Sequence, residues 1–397
     1  MNGSYEPGKP LSLDWRATDL DWLPEPPEAR NRREHAAMMV IMFDACMEYC
    51  GQARPITYSR NRNHYAGKGR YQGSLYRYTL IVPAVDKLAE AGLIDHWKAP
   101  VAGGPTGRQS EFKASPLLIE ALPNEPPLHW VEPGELVRLK DADGNLIPYQ
   151  DSLRTVRDRR MLREINEAIS GFDLDINAPS VERNGQILMI GEDSIYLARN
   201  HLYRVFNGGW SLGGRLYGPW WQNCRRVHRP FITINGEPTV EPDYEQLHPR
   251  LLYGHCGHIL DSNAYTVPGF KRADGKLAWN VLLNASTRQK AVMAIANTLG
   301  DSAEIENCYY QAVRLVEALE KRHAPISEYF GSGFGLRLQN IDAGMAEHVM
   351  RKTLKQGIPC LPVHDSFITP ERHEDVVLEA MDEAFERATK KPQISYN

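Results

Sequence analysis

From Ile358 to Val363 an apolar run climbs to the polar turn His364-Asp365-Ser366, and a second apolar run descends from it through Phe367 and Ile368. That pattern predicts a β-hairpin with a carboxylate at its tip. A second hairpin is predicted where Phe231-Ile232-Thr233-Ile234 meets Asn235-Gly236 and then Glu237 to Asp243, because Asn-Gly is a favoured two-residue turn. Asp243 leaves this strand just as a helical pattern begins. Elsewhere the period is helical. Arg32 to Cys50 carries Ala36, Met39, Val40, Phe43 and Met47 at core spacing, and Ala84 to Ala91 is a shorter helix closed by Gly92. Further helices are predicted over Ser152–Ser170, Lys276–Ala296, Glu304–Arg322, from Leu338 to Gly357, and from Glu374 to Thr389. The last has acids at its start and lysines at its end, as the helix dipole prefers. Strands and helices in this mixture predict an α+β fold.

Composition narrows the class without naming a function. A chain of 397 residues is too long for one ordinary domain, and two or three are expected. Hydrophobic content of 42% and charged content of 24% are those of a globular protein. No run of eighteen apolar residues exists, so no membrane span is expected. Met1 to Pro7 lacks the basic and apolar regions of a signal peptide. The six cysteines (46, 50, 224, 256, 308, 360) are scattered without a CxxC pair and read as reduced, cytoplasmic thiols. His255-Cys256-Gly257-His258 has no second ligand pair at zinc spacing and reads as structural.

Charge is distributed unevenly in the N-terminal half. Residues 1–30 are rich in Pro and acids and predict an extended arm. From Tyr49 to Val85 there is no Asp or Glu, while Arg54, Arg60, Arg62, Lys68, Arg70 and Arg77 interleave with Tyr58, Tyr65, Tyr71, Tyr76 and Tyr78. Guanidinium groups neutralise phosphates and aromatic rings stack on bases, so the stretch reads as a nucleic-acid surface. Leu93-Ile94, the glycine-rich excursion Ala102–Gln109 with Arg108, and the strand Ser110–Ala114 follow. Residues 31–125 thus resemble a winged helix-turn-helix, in which a helix enters a groove and the wing touches the backbone. Residues 126–195 read as a linker or thumb-like segment. The arginine-rich helix within it is either a solvated face or a track for a duplex backbone.

The C-terminal half carries four short motifs in order. They are Gly214-Arg215-Leu216, then Asp243-Tyr244-Glu245-Gln246-Leu247-His248-Pro249-Arg250, then Gln339-Asn340 at a helix start, then Val363-His364-Asp365. Together they resemble the palm of family A DNA polymerases, over roughly residues 196–397 with reduced fingers at about 255–335. Val363-His364-Asp365-Ser366-Phe367 is closer still to the phage-type single-subunit RNA polymerases of the same superfamily. The resemblance implies template-directed nucleotidyl transfer. Its partners would be a DNA (possibly RNA) primer-template and nucleoside triphosphates, in replication, priming or repair of a phage or plasmid-like element, with no proofreading domain. Protein partners are not indicated.

Such transfer uses two divalent ions roughly 4 Å apart, here Mg²⁺ or Mn²⁺ on hard oxygen ligands. The resemblance assigns Asp243 and Asp365 as the catalytic pair and the Tyr244 carbonyl as a further ligand. Arg272 and Lys276 would bind the triphosphate, with Arg288 and Lys290 in reserve. Arg215, Arg337, Gln339 and His364 would contact the primer terminus and minor groove. Three positions depart from the family pattern, and two of them, His248 and Asn284, concern sugar selectivity. His248 stands where the family has an acidic residue, Asn284 where it has a tyrosine, and Ser366 where the DNA polymerases have a second acid. An alternative is a DNA-binding initiator or regulator with an inactive palm. A hydrolase built on Ser366, His364 and Asp365 is disfavoured, because three neighbours in one turn cannot align as nucleophile, base and orienter.

Overall fold

The structure, a computed structural model, describes residues 8–66, 69–100, 109–131, 134–299 and 305–390. Two of the expected nucleic-acid contacts, Lys68 and Arg108, lie outside the described residues, as does most of the glycine-rich excursion. The architecture is mixed α+β, with long helices and several small sheets. No described helix is long and apolar enough to cross a membrane. The chain divides into two units and passes between them more than once. One takes the residues up to Leu139, Asn145–Tyr203 and Tyr217–Pro238; the other takes Lys140–Gly144, Arg204–Leu216 and the chain from Thr239 onward. The expected boundary at residue 196 is not where the packing divides. Strand Ile232–Ile234 pairs with Leu174–Ile176, so the segment leading into the predicted hairpin packs with earlier residues.

The first unit is organised by the helix Arg32–Cys50, most of whose residues are buried. Asn31 caps it, its side chain accepting from the backbone of Arg33 and Glu34. The chain then runs through strand Ile56–Tyr58, short helices, the helix Tyr78–Glu90, and strands Ile94–Trp97 and Ser110–Ala114. The sheet order is Lys9–Pro10, Ile56–Tyr58, Ser110–Ala114, Ile94–Trp97. Helix Tyr78–Glu90 starts six residues before the predicted Ala84 and carries Pro83 inside it. Proline has no N–H to give the carbonyl four residues back. Here that carbonyl, on Thr79, accepts instead from the Arg30 guanidinium at 3.2 Å. A meander of Val181–Asn184, Ile187–Ile190 and Asp193–Tyr196 completes the strands used below.

In the second unit the hairpin predicted around Asp365 is present. Strands Leu361–Val363 and Ser366–Pro370 pair antiparallel, with Val363 opposite Ser366, so His364 and Asp365 form a two-residue turn. Thr239 and Val240, at the end of the Asn-Gly hairpin, pair with Pro370 and Thr369. Helices Gly335–Leu354 and Glu374–Lys390 pack on this sheet and on each other. Phe367 is 1% exposed; truncating it to alanine would cost about 3–5 kcal/mol. The single helix expected over Lys276–Ala296 is two, Arg272–Asn284 and Arg288–Leu299. Ala285 turns into extended backbone, and the freed carbonyls of Leu282 and Ala285 accept from Gly331 and Gly333 at 2.7 and 2.9 Å.

Candidate functional site

Two backbone contacts bring the chain ends of the predicted site together. Asp243 and Ser366 form an isolated antiparallel bridge, and Tyr244 N–H donates to the Asp365 carbonyl at 3.3 Å. Asp243 is exposed and Asp365 half-buried. Both open onto a cleft of about 490 Å³ that is also lined by Arg215, Tyr244, His248, Arg272, Lys276, Asn284 and Gln339. All these residues belong to the second unit. Nine of the expected site residues therefore share one cavity.

Others do not. Arg288 is bound to Glu320, with its Nε 2.7 Å from Oε1, and Lys290 reaches Ser286 at 3.2 Å. Neither lines the cleft, because the break after Asn284 starts a separate helix. The reserve assignment is corrected on that ground. Arg337 and His364 also fall outside the lining residues. The Ser366 hydroxyl donates to Glu241 at 2.7 Å and lies 3.1 Å from the Val363 carbonyl, a structural use.

Backbone conformation is unusual at two of the site's corners. His364 (φ 61°) and Gln246 (φ 56°) lie in the left-handed region that favours glycine. Gln246 precedes helix Leu247–His255, and its side chain accepts from Ala264 N–H at 2.6 Å. This bond draws the segment after residue 260 onto the cleft. The Gly213-Gly214 pair has a steric reason as well. Both have positive φ, and a Cβ on Gly214 would lie 2.8 Å from the Phe206 ring. Its carbonyl accepts from Arg204 Nε at 2.7 Å.

The sequence reading missed two groups. Tyr265 lines the cleft, its ring 5.5 Å from the Arg272 guanidinium and 5.9 Å from Lys276 Nζ. It comes this close because position 275 is glycine; a Cβ there would meet the Tyr265 carbonyl oxygen at 2.0 Å. Burial, with the Asp365 charge adding to it, pushes the phenol up to about 12, against the pull of Arg272. Asp342 is the other group. Fully buried, it accepts from Arg215 Nε at 3.0 Å and lies 2.7 Å from His248 Nε2. The signal was present: Asp342 is a carboxylate at a core register of its helix, four residues after the buried Leu338.

In the first unit, most of the residues expected to form a nucleic-acid surface have other partners. Tyr58, Tyr65, Tyr71 and Tyr76 are core residues, each under a tenth exposed, and do not offer stacking faces. Arg60 forms a bidentate pair with Asp86, both contacts at 2.8 Å. Arg70 pairs with Glu135 and Asp151, and Arg54 with Glu48. Arg62 and Arg77 remain exposed. In the arginine-rich helix Leu153–Ser170, Arg154, Arg157 and Arg159 are all ion-paired, and Arg160 and Arg163 face solvent.

No family model matches the chain, and no curated protein matches it.

Proposed function

We propose that the second unit is a nucleotidyltransferase that extends a nucleic-acid strand on a template. The observation that carries this reading is the cleft in which Asp243 and Asp365, joined through neighbouring backbone, face Arg272 and Lys276 on a single helix. Two carboxylates opposite two cations suit a substrate that is itself a metal–polyphosphate complex.

The donor set fits hard divalent ions. Among the described residues no group of three or more His, Cys, Asp or Glu side chains forms a metal cluster. A pair of carboxylates with the Tyr244 carbonyl is what Mg²⁺ uses when the remaining ligands are waters and substrate phosphates. Two such ions would activate the attacking hydroxyl and stabilise the leaving phosphate. The chain's own part is positional. Asp243 and Asp365 hold the reacting end of the cleft, Arg272 and Lys276 hold the phosphates, and Tyr265 supports both cations.

The first unit supports a nucleic-acid-binding reading by its topology. A helix, a strand, further helices and two strands follow in that order, and Ser110–Ala114 lies between Ile56–Tyr58 and Ile94–Trp97 in the sheet, which is compatible with a winged helix. Helix Tyr78–Glu90 buries Leu80, Ile81, Val82, Ala84, Val85 and Leu88, so contact would fall to its start, at Arg77, and to Arg62. With Arg60 and Arg70 committed to ion pairs, the reading as a pure DNA-binding regulator has less support.

The test is primer extension on a defined template with Mg²⁺ or Mn²⁺ and either dNTPs or rNTPs. Incorporation that is absent with every combination, or that survives both Asp243→Asn and Asp365→Asn, overturns the proposal.

A further inference from the structure

A second pocket, of about 170 Å³, lies wholly within the first unit. Strand Lys9–Pro10, the loop after helix Arg32–Cys50, the meander strand Asp193–Tyr196 and the segment from Trp220 to His228 surround it. A water's share of liquid volume is about 30 Å³, so the pocket holds about five or six waters. That is the room of one small anion with its solvation, and too little for a whole nucleotide.

Its lining is rich in cations. Lys9, Arg54, Arg199 and Arg225 line it, against the single lining carboxylate Asp193. Asp193 is ion-paired with Arg225, Nε to Oδ2 at 2.7 Å, although that buried oxygen accepts no hydrogen bond from the described residues. Glu48, buried behind the wall, serves both Lys9 and Arg54. Two more carboxylates act on these cations without lining the pocket. Asp44 accepts from the backbone of Ser12 and Leu13, and Asp14 is pushed up to about 6 by burial and by the Asp44 charge. Lys9 is held below the usual lysine range by burial and by the Arg199 charge. Lys9, Arg54 and Arg225 thus have carboxylate partners, and Arg199 is the lining cation with no ion pair among the described residues.

Two buried donors make the case specific. The Trp220 indole Nε1–H and the Arg199 Nε–H have no hydrogen-bond partner among the described residues. Trp220 is 3% exposed. Both residues line this pocket, and they are neighbours, since Trp220 N–H donates to the Arg199 carbonyl at 2.7 Å. The guanidinium is held over the rings of Tyr196, at 5.0 Å, and Trp15, at 5.9 Å. A buried donor left unmet costs about 1–3 kcal/mol, and a native protein that keeps two such residues on one pocket calls for an acceptor. An oxyanion supplies several acceptor oxygens and negative charge at once.

We propose that this pocket is a phosphate-binding site. Its ligand is a terminal phosphate of a nucleic-acid strand or free inorganic phosphate, held by Arg199, Trp220 and Arg225. The inference rests on the first unit alone and is independent of polymerase activity.

The test is calorimetric titration of the full-length protein with three probes: inorganic phosphate, a 5′-phosphorylated oligonucleotide and its 5′-hydroxyl counterpart. Saturable phosphate binding is expected, weakened at least tenfold in Arg199→Gln and several-fold in Trp220→Phe and Arg225→Gln. Arg225 is largely exposed and Trp220→Phe preserves most of the ring, so these two variants remain informative should Arg199→Gln fail to fold. A variant-sensitive preference for the 5′-phosphorylated oligonucleotide assigns the site to strand ends. Phosphate binding with no discrimination between the oligonucleotides assigns it to the free ion. No saturable binding, or affinity unchanged in Trp220→Phe and Arg225→Gln, overturns the proposal.

Discussion

Tyr244 donates its backbone N–H to the carbonyl of Asp365, and this bond sets Asp243 beside the hairpin tip. Backbone pairing places both aspartates. Asp243→Asn and Asp365→Asn should therefore fold normally. Each is expected to lower metal-dependent incorporation at least about 100-fold, the scale for losing one preorganised charge contact. Thermal unfolding checks the first expectation and single-turnover extension the second.

Tyr265 reaches Arg272 and Lys276 only because Gly275 lacks a Cβ. Gly275→Ala should push Tyr265 away and raise KM for the nucleotide about tenfold, an effect of some 1.4 kcal/mol in ground-state binding. Tyr265→Ala should do the same, while Tyr265→Phe, which keeps the ring under both cations, should stay near wild type. Steady-state kinetics on the three variants separates support by the ring from a role of the hydroxyl, which would make Tyr265→Phe as impaired as Tyr265→Ala.

Asp342 is buried between Arg215 and His248. Removing one partner of a buried ion pair costs about 3–5 kcal/mol, because the other charge is left uncompensated. Asp342→Ala should lower the urea-unfolding free energy by that order, and should also loosen two side chains that line the cleft. His248→Gln should cost far less stability. If the two variants prove equally stable, Asp342 is not the anchor of this network.

Much of this was readable beforehand, and the reasons differ by residue. The hairpin at His364-Asp365 and the Asn235-Gly236 turn were legible because turn chemistry and alternation are local properties. What was not legible depended on distant partners. The acid-free run from Tyr49 to Val85 looked like a phosphate-binding face, yet Arg54 and Arg70 find Glu48, Glu135 and Asp151 outside that run. Its tyrosines were needed for the core. Pro83 hid the first turns of its helix, since the compensating donor, Arg30, lies far back in the chain. Tyr265 was invisible because only the fold, through Gln246 and Gly275, carries it to the cleft.

His323 gives the second unit a pH dependence of known sign. Its Nε2–H donates to the Ala264 carbonyl at 2.9 Å, and a carbonyl can only accept. Nδ1 therefore takes the Tyr253 hydroxyl at 2.8 Å. Burial, only partly offset by the bond to Ala264, lowers the imidazole from its ordinary 6.5 to about 4. The unfolded chain then binds the extra proton more readily than the folded one. Its contribution to stability is full above pH 6.5 and is lost as pH falls toward 4. The melting temperature should decline across that window, and the decline should shrink in His323→Gln; an identical slope in that variant would assign the acid sensitivity elsewhere.

His364 separates fold from function at the hairpin tip. It takes the first position of a two-residue turn with φ of 61°, where glycine is the ordinary residue of a type II′ turn. An L-residue in that region carries roughly 1–2 kcal/mol of strain; glycine removes it and returns roughly 0.5–1 kcal/mol through the greater freedom of its unfolded chain. His364→Gly should therefore be as stable as wild type or more so, by up to about 1.5 kcal/mol. Strain of this size kept next to Asp365 has a use only if the imidazole does something that glycine cannot. The expected result is a variant that melts no lower than wild type but extends primers at least about tenfold more slowly. A less stable variant means that the ring's packing outweighs its strain, and a fully active one removes His364 from the site.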